Sequence, residues 1–207
     1  MIAYASRTGT HRNLAALRLV GWRLLISAMG VHRHEGFQYA LDNGAWTAWT
    51  HGHQFNVAAF EKMMAKLADK ADWCALPDIV CGGAPSLDLS LSWMDRVLGA
   101  CRMALLPVQP GMTIAAVEPY ISSRVGVFVG GSSEWKLATM ADWAALAARK
   151  GAWCHVARVN SARRILQCSR AGAHSFDGSS ASRFAVTTPG LARATAQLGL
   201  FTGRLPT

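Results

Sequence analysis

The regular alternation of strand-like and helix-like segments constrains the fold of this chain more than any other feature. Eight short apolar runs have the composition of β-strands. They are residues 2–5, 23–27, 39–42, 73–77, 104–108, 126–129, 153–157 and 174–176. Seven segments with helical periodicity lie between or after them, at residues 10–20, 55–69, 87–99, 113–120, 135–150, 161–171 and 189–198. Only the second strand lacks a helix of its own.

This order of elements predicts an α/β protein of the (β/α)8 TIM-barrel type, formed by one domain over residues 1–207. A chain of 207 residues is close to the lower limit of about 200 for such a barrel, so it would be compact. A doubly wound open sheet is the competing architecture, because alternation alone does not show that the sheet closes.

The charge of the chain indicates a polyanionic partner. The formal net charge is +9, while only 16% of the residues are charged and 51% are hydrophobic. An excess of Lys and Arg on a well-packed domain favours nucleic acid as the partner, although a generally arginine-rich proteome would give the same excess. No apolar run approaches the ~20 residues that cross a bilayer. We therefore predict a cytoplasmic protein without membrane contact.

The cysteines and histidines do not predict a metal site. Five Cys and seven His are scattered along the chain, and no Cys pair has CxxC spacing. Most of the cysteines have apolar neighbours, which indicates buried free thiols.

Polar residues follow six of the predicted strands at the point where each strand ends. They are Asp42, Asp78, Gln109, the pair Gly130 and Gly131, the pair Arg158 and Asn160, and Asp177. In a parallel α/β fold these positions share the carboxyl-terminal rim, where active sites form. Each residue taken alone is equally typical of a turn or a helix cap.

These residue types suit the recognition of a purine and substitution at a glycosidic carbon. Asp177 stands between Phe176 and the small residues 178–180, so a ligand could approach its carboxylate. An ionised Asp78 suits the two donors on the N1/N2 edge of guanine, and the Gln109 amide or the backbone at Gly130 and Gly131 suits its O6 acceptor. Asp42 and Asp177 would then divide acid/base and nucleophilic work.

The ordered motifs resemble the tRNA-guanine transglycosylase family over roughly residues 39–185. The segment 41–45, LDNGA, is similar to the DSGGF motif of that family, and 75–78, ALPD, to its AFD segment. Residues 108–111, VQPG, are similar to VQGG, and 129–134, VGGSSE, to GGLAVGE. The final segment 175–183, SFDGSSASR, resembles FDCVLPTR, with the Phe-Asp pair and an Arg six residues on.

The resemblance implies roles for these residues and no cofactor. Asp177 is the implied nucleophile that attacks C1′ of a nucleoside, Asp42 the implied general acid/base, and Asp78, Gln109, Gly130 and Gly131 the implied base-binding residues. The zinc-binding Cys/His region of the tRNA enzymes is absent here. The short pattern is more similar to the DNA-directed branch of bacterial and phage modification systems, which implies exchange of guanine in DNA for preQ0 or a related 7-deazaguanine.

DNA as substrate would require the target nucleotide to leave the base stack. Candidate nucleic-acid-binding residues are Lys136, Arg158, Asn160, Arg163, Arg164 and Arg183. Trp46, Trp49 and Trp135 are candidates for stacking on a base, although core packing is the more common role of Trp. Three other functions remain open: a tRNA transglycosylase, a glycosidase that releases base without replacing it, and a non-catalytic nucleic-acid-binding subunit.

Overall fold

The chain folds into a closed barrel of eight parallel strands. The structure, a computed structural model, describes the backbone of residues 1–180 and 188–202 and the side chains of 1–180 and 188–195. Consecutive strands pair in parallel around the ring, and the last strand pairs with the first, with Ile2 opposite Ser175 and Tyr4 opposite Asp177. This pairing closes the sheet, so the barrel prediction is confirmed and the open sheet is excluded.

The strands lie close to their predicted positions. They are β1 (Ile2–Ser6), β2 (Arg23–Ser27), β3 (Tyr39–Asp42), β4 (Cys74–Ala75), β5 (Ala104–Val108), β6 (Val125–Val129), β7 (Cys154–Val156) and β8 (Ser175–Gly178). The strand predicted over residues 73–77 is shorter than expected, because only Cys74 and Ala75 pair with β5.

Helices surround the barrel in the described part of the chain. They are α1 (His11–Leu19), α2 (Ala45–Thr50), α3 (Val57–Leu67), α4 (Ala84–Ala100), α5 (Ile114–Val117), α6 (Ser133–Arg149), α7 (Ala162–Arg170) and α8 (Thr188–Thr202). Short polar side chains set several starts: Asn56, Ser132 and Ser161 each accept a hydrogen bond from a backbone N–H in the first turn of the following helix. No helix lies between β2 and β3, as predicted. The short α2, which the sequence did not predict, immediately follows Gly44, whose φ of 82° favours glycine.

Apolar side chains fill two separate regions. One lies between the strands and the surrounding helices, where for example Trp22 meets the Phe176 ring edge to face at 5.7 Å. The other lies inside the barrel and contains Tyr4, Trp73 and Leu105, with Phe128 packed against them. These large side chains fill the barrel interior, so the polar residues at the strand ends lie on top of a packed core and do not line a channel.

Four of the five cysteines are buried as free thiols, as predicted, whereas Cys81 is exposed. Within the described residues, no helix is both long and apolar enough to cross a membrane. Over the same residues, no three His, Cys, Asp or Glu side chains are grouped closely enough to hold a metal ion.

Candidate active site

A cavity of about 860 Å³ opens at the carboxyl-terminal end of the barrel. All six residues predicted for catalysis and base binding line it: Asp42, Asp78, Gln109, Gly130, Gly131 and Asp177. Four of the predicted nucleic-acid-binding residues line it as well: Lys136, Arg158, Asn160 and Arg164. The fold therefore brings residues that are distant in sequence into one cavity. Asp42 and Asp177, for example, are 135 positions apart.

Asp177 lies within strand β8, not at a helix cap, and its side chain is almost fully buried. Two donors converge on one of its oxygens. The Nε2 atom of His155 lies 3.0 Å from Oδ1, and the backbone N–H of Arg158 donates to the same atom over 3.1 Å. Oδ1 is thereby anchored, which leaves Oδ2 as the oxygen available to a ligand.

His155 is the most important site residue that the sequence analysis missed. It is fully buried inside the barrel, stacked on Phe128 at 5.0 Å and tilted against Trp73 at 4.7 Å. Burial lowers the pKa of its imidazole, although the adjacent Asp177 carboxylate opposes that effect. The ring is therefore neutral near pH 7 and carries one proton.

A chain of hydrogen bonds determines which nitrogen of His155 carries that proton. The indole Nε1–H of Trp153 can only donate, and it donates to Ser175 Oγ over 2.8 Å. Ser175 can then donate its own hydroxyl hydrogen to His155 Nδ1, which lies 2.9 Å away. With Nδ1 an acceptor, the proton is on Nε2 and points at Asp177.

The alternation of side chains along β7 and β8 explains this arrangement. Trp153 and His155 are two residues apart, as are Ser175 and Asp177, so each pair faces the barrel interior. His155 lies directly opposite Ser175 in the register of the two strands. The sequence did contain a signal for His155: it is a polar residue in the middle of a strand, at a position whose side chain points into the barrel.

Arg158 holds an unusual backbone conformation beside Asp177. Its φ is 56°, in the left-handed region that non-glycine residues rarely adopt. Its side chain donates to the carbonyl of Gly131, and its guanidinium lies 3.8 Å from the centre of the Trp46 ring. Trp46 follows β3 and Arg158 follows β7, which stand on opposite sides of the eight-strand ring. Their contact therefore spans the mouth of the cavity.

Asp42 has a different environment from Asp177. Burial, together with the charge of Asp177, raises the pKa of its carboxyl from 3.8 to about 6, while the Ser27 hydroxyl opposes the shift. Gly44 N–H donates to Oδ2 over 3.2 Å. One cavity thus contains a carboxylate anchored by two donors and a second carboxyl that keeps its proton to a higher pH than usual. Such a pair can divide nucleophilic and acid/base roles.

Asp78 lies beside Asn43 at the end of β4. Asn43 donates from Nδ2 to Asp78 Oδ1 over 2.8 Å and to the Leu76 carbonyl over 2.6 Å. Burial raises the pKa of Asp78 to about 6, and the hydrogen bond from Asn43 counteracts this. Asn43 therefore orients the carboxylate, a role that the sequence analysis did not assign to it.

Gln109 and Gly130 differ in detail from their predicted roles. The Gln109 amide nitrogen donates to the Ile79 carbonyl over 2.8 Å and to Ser86 Oγ over 2.6 Å, which uses both of its hydrogens. The N–H of Gly130 donates to the Val108 carbonyl. Both groups already donate to acceptors within the protein, so neither is free to donate to O6 of a bound base. Gln109 presents its carbonyl oxygen instead.

Three of the five predicted basic residues, Lys136, Arg158 and Arg164, line the cavity. Lys136 is buried and donates to the Ala157 carbonyl, and burial together with the charge of Arg158 lowers its pKa to about 8. Its amine therefore lies inside the cavity wall and not on the outer surface. Arg163 is exposed and does not line the cavity. Arg183 lies outside the described residues.

Asn160 and Trp135 also have defined partners. Asn160 accepts a hydrogen bond from the Ser180 backbone N–H through Oδ1, which ties the segment after β7 to the segment after β8. Trp135 packs with Trp143 in the outer core, so it differs from the exposed Trp46 and Trp49.

No protein-family model matches this chain, and no curated protein matches it significantly.

Proposed function

We propose that this protein is a transglycosylase that exchanges guanine in DNA for a 7-deazaguanine base such as preQ0. The observation that carries the proposal is the pair of carboxyl groups in one cavity, Asp177 with two donors on Oδ1 and Asp42 with its pKa raised to about 6. The ordered resemblance to the transglycosylase family supplies the reaction class.

In the first half-reaction, Oδ2 of Asp177 attacks C1′ of the target nucleotide. The bond between C1′ and the base breaks, and the electron pair leaves with guanine. Asp42, which holds a proton near pH 6, transfers it to the departing base. The product is a covalent ester between Asp177 and C1′, together with free guanine and an ionised Asp42.

In the second half-reaction, the incoming deazaguanine attacks the same C1′ from the face that guanine left. Asp42 removes the proton from the attacking nitrogen, and the bond between C1′ and Asp177 breaks. The protein returns to its starting state with no net change in its own protons. This sequence requires neither an oxidant nor a reductant, so it is complete without a cofactor.

Base recognition in this proposal uses Asp78, Gln109 and Gly131. Asp78 accepts from the N1/N2 edge of the base in its ionised form, which the hydrogen bond from Asn43 to one of its oxygens favours. The carbonyl oxygen of Gln109 accepts from a donor of the base, since the amide hydrogens are occupied. Gly131 lines the cavity with a φ of 78°, and its lack of a side chain allows Pro110 and Trp135 to pack against it.

DNA is proposed as the nucleic acid because the short motif pattern resembles the DNA-directed branch, and because the chain carries a net charge of +9. Measuring base exchange on duplex DNA, single-stranded DNA and tRNA distinguishes this proposal from the alternative functions. The experiment supplies labelled preQ0 or guanine and measures its incorporation into each polymer. We expect incorporation into DNA by the wild type, none by Asp177→Asn, and normal incorporation by the exposed control Asp95→Asn.

Other outcomes would replace the proposal. Incorporation into tRNA alone would keep the reaction and change the substrate. Abasic sites without incorporation would identify a glycosidase, whereas DNA binding without either reaction would identify a binding subunit.

A further inference from the structure

Two tryptophans stand exposed at the mouth of the cavity. Trp46 and Trp49 lie one turn apart on α2, and their relative exposures are 41% and 51%. Their ring centres are 5.1 Å apart, and both rings line the cavity. The largest aromatic side chain is usually well buried, so a contiguous pair at a cavity mouth indicates a binding surface.

Arg158 extends the pair to a column of three planar groups. Its guanidinium lies 3.8 Å from the centre of the Trp46 ring, and the Trp49 ring contacts Trp46 at a tilt of 34°. One guanidinium nitrogen donates to the Gly131 carbonyl, and the planar group has five N–H donors in all. Its face can therefore stay on Trp46 while its edge binds a phosphate.

The charges around this column are complementary to a phosphodiester chain. Lys136 and Arg164 line the cavity together with Arg158. Val31 also lines the cavity and is 52% exposed. The cavity thus combines exposed aromatic and apolar side chains with cationic ones.

We propose that this aromatic column binds single-stranded DNA, with the base next to the target nucleotide stacked on Trp49 and the phosphate between the two nucleotides bound by Arg158. Aromatic rings beside cations are the combination that binds unpaired strands, because every base has a face that can stack. In a duplex the faces of the bases are covered by their neighbours, so a stacking platform selects an unpaired strand.

The inference rests on the proposed function for its ligand, since it places the target nucleotide in the cavity. It adds that the substrate is bound as a single strand. It also identifies Trp49 as the residue that contributes to that preference, separately from the carboxylates that perform the chemistry.

The test measures fluorescence anisotropy of a labelled single-stranded oligodeoxynucleotide and of the same sequence as a duplex. It uses the Asp177→Asn protein without free base, so that binding is read without base exchange. We expect tighter binding of the single strand, and a loss of about tenfold in Trp49→Ala, as is typical for removal of one stacked base contact. Trp49→Phe should retain most of the affinity because it keeps an aromatic face.

Tyr120→Ala is the matched control. Tyr120 is 39% exposed and comes just before β6, at the opposite end of the barrel, so its removal should leave binding unchanged. Equal affinity of single strand and duplex, or an unchanged affinity in Trp49→Ala, would overturn the inference. Binding with this pattern in a protein that exchanges no base would uphold the inference and reject the proposed reaction.

Discussion

The Nε2 atom of His155 and the Oδ1 atom of Asp177 are 3.0 Å apart in the interior of the barrel, and the proton between them belongs to a neutral imidazole. This hydrogen bond connects the candidate nucleophile to the packed interior of the barrel. Because Trp73 and Phe128 pack against the ring of His155 and hold it in place, the hydrogen bond from His155 also fixes the position of the Asp177 carboxylate.

Replacing His155 tests whether this bond positions Asp177. In His155→Leu the Oδ1 atom loses one of its two donors, and the carboxylate can rotate. We expect kcat for base exchange to fall about 100-fold with little change in KM, because small misplacements of a reacting group have effects of this size. His155→Gln, which can restore a donor, should recover part of the loss. An equal loss in both variants would indicate a role in packing alone.

Ser175→Ala tests whether the hydrogen-bond chain helps to position His155. Without the hydroxyl, Nδ1 loses its donor, and only the Asp177 carboxylate still favours a proton on Nε2, so the ring is held less firmly. We expect a loss in kcat of about tenfold, smaller than that in His155→Leu. The tautomer can be measured by ¹⁵N NMR of the labelled imidazole. Trp153→Phe removes the donor to Ser175 but keeps the hydroxyl, so its loss in kcat should be smaller than that in Ser175→Ala. A ring protonated on Nδ1 in the wild-type protein would contradict the direction assigned.

The sequence predicted the barrel and the set of residues at its rim for a simple physical reason. Strand and helix periods are local properties, and the carboxyl ends of parallel strands lie at one end of a barrel, so the sequence alone places Asp42, Asp78 and Asp177 together. All three line the same cavity.

Interactions that depend on side-chain packing could not be predicted in the same way. Arg158 contacts Trp46 across the ring, and Gln109 turns its amide hydrogens toward Ile79 and Ser86. Neither relationship follows from a local pattern, because each depends on distances between segments that are far apart in sequence. The same limit explains why the sequence named Lys136 as a nucleic-acid-binding candidate but did not predict its burial in the cavity wall.

The raised pKa values of Asp42 and Asp78 predict a pH dependence of stability. Each carboxyl has its pKa raised from 3.8 to about 6 in the folded state. Between these values the folded protein holds protons that the unfolded chain has released, so the free energy of unfolding should fall as pH rises from about 4 to about 6. Above pH 6 their contribution should be constant.

Asp42→Asn isolates one of the two contributions. The variant should show a weaker fall over the same pH interval and, above pH 6, should exceed the wild type in stability by on the order of 2 kcal/mol. Urea unfolding at several pH values measures both quantities. Asp95→Asn, at an exposed position on α4, should leave the pH dependence unchanged. A slope unaltered in Asp42→Asn would show that this carboxyl titrates normally.

Gly131→Ala tests the close packing of the base pocket. A Cβ at this position would lie 2.8 Å from Cδ of Pro110 and 3.0 Å from the Trp135 ring, and the backbone has a φ of 78°. Both effects are unfavourable, so we expect a loss of about 2–3 kcal/mol in the free energy of unfolding together with weaker binding of free base.

Gly52→Ala separates the two effects. Gly52 has a φ of 71°, but nothing lies within 4 Å of an added Cβ, so only the conformational cost of about 1 kcal/mol applies. The difference between the two variants measures the contact of Gly131 with Pro110 and Trp135. If both variants lost the same stability and both bound base normally, the pocket beside Gly131 would be wider than the structure shows. Gly131 would then have no part in holding the base.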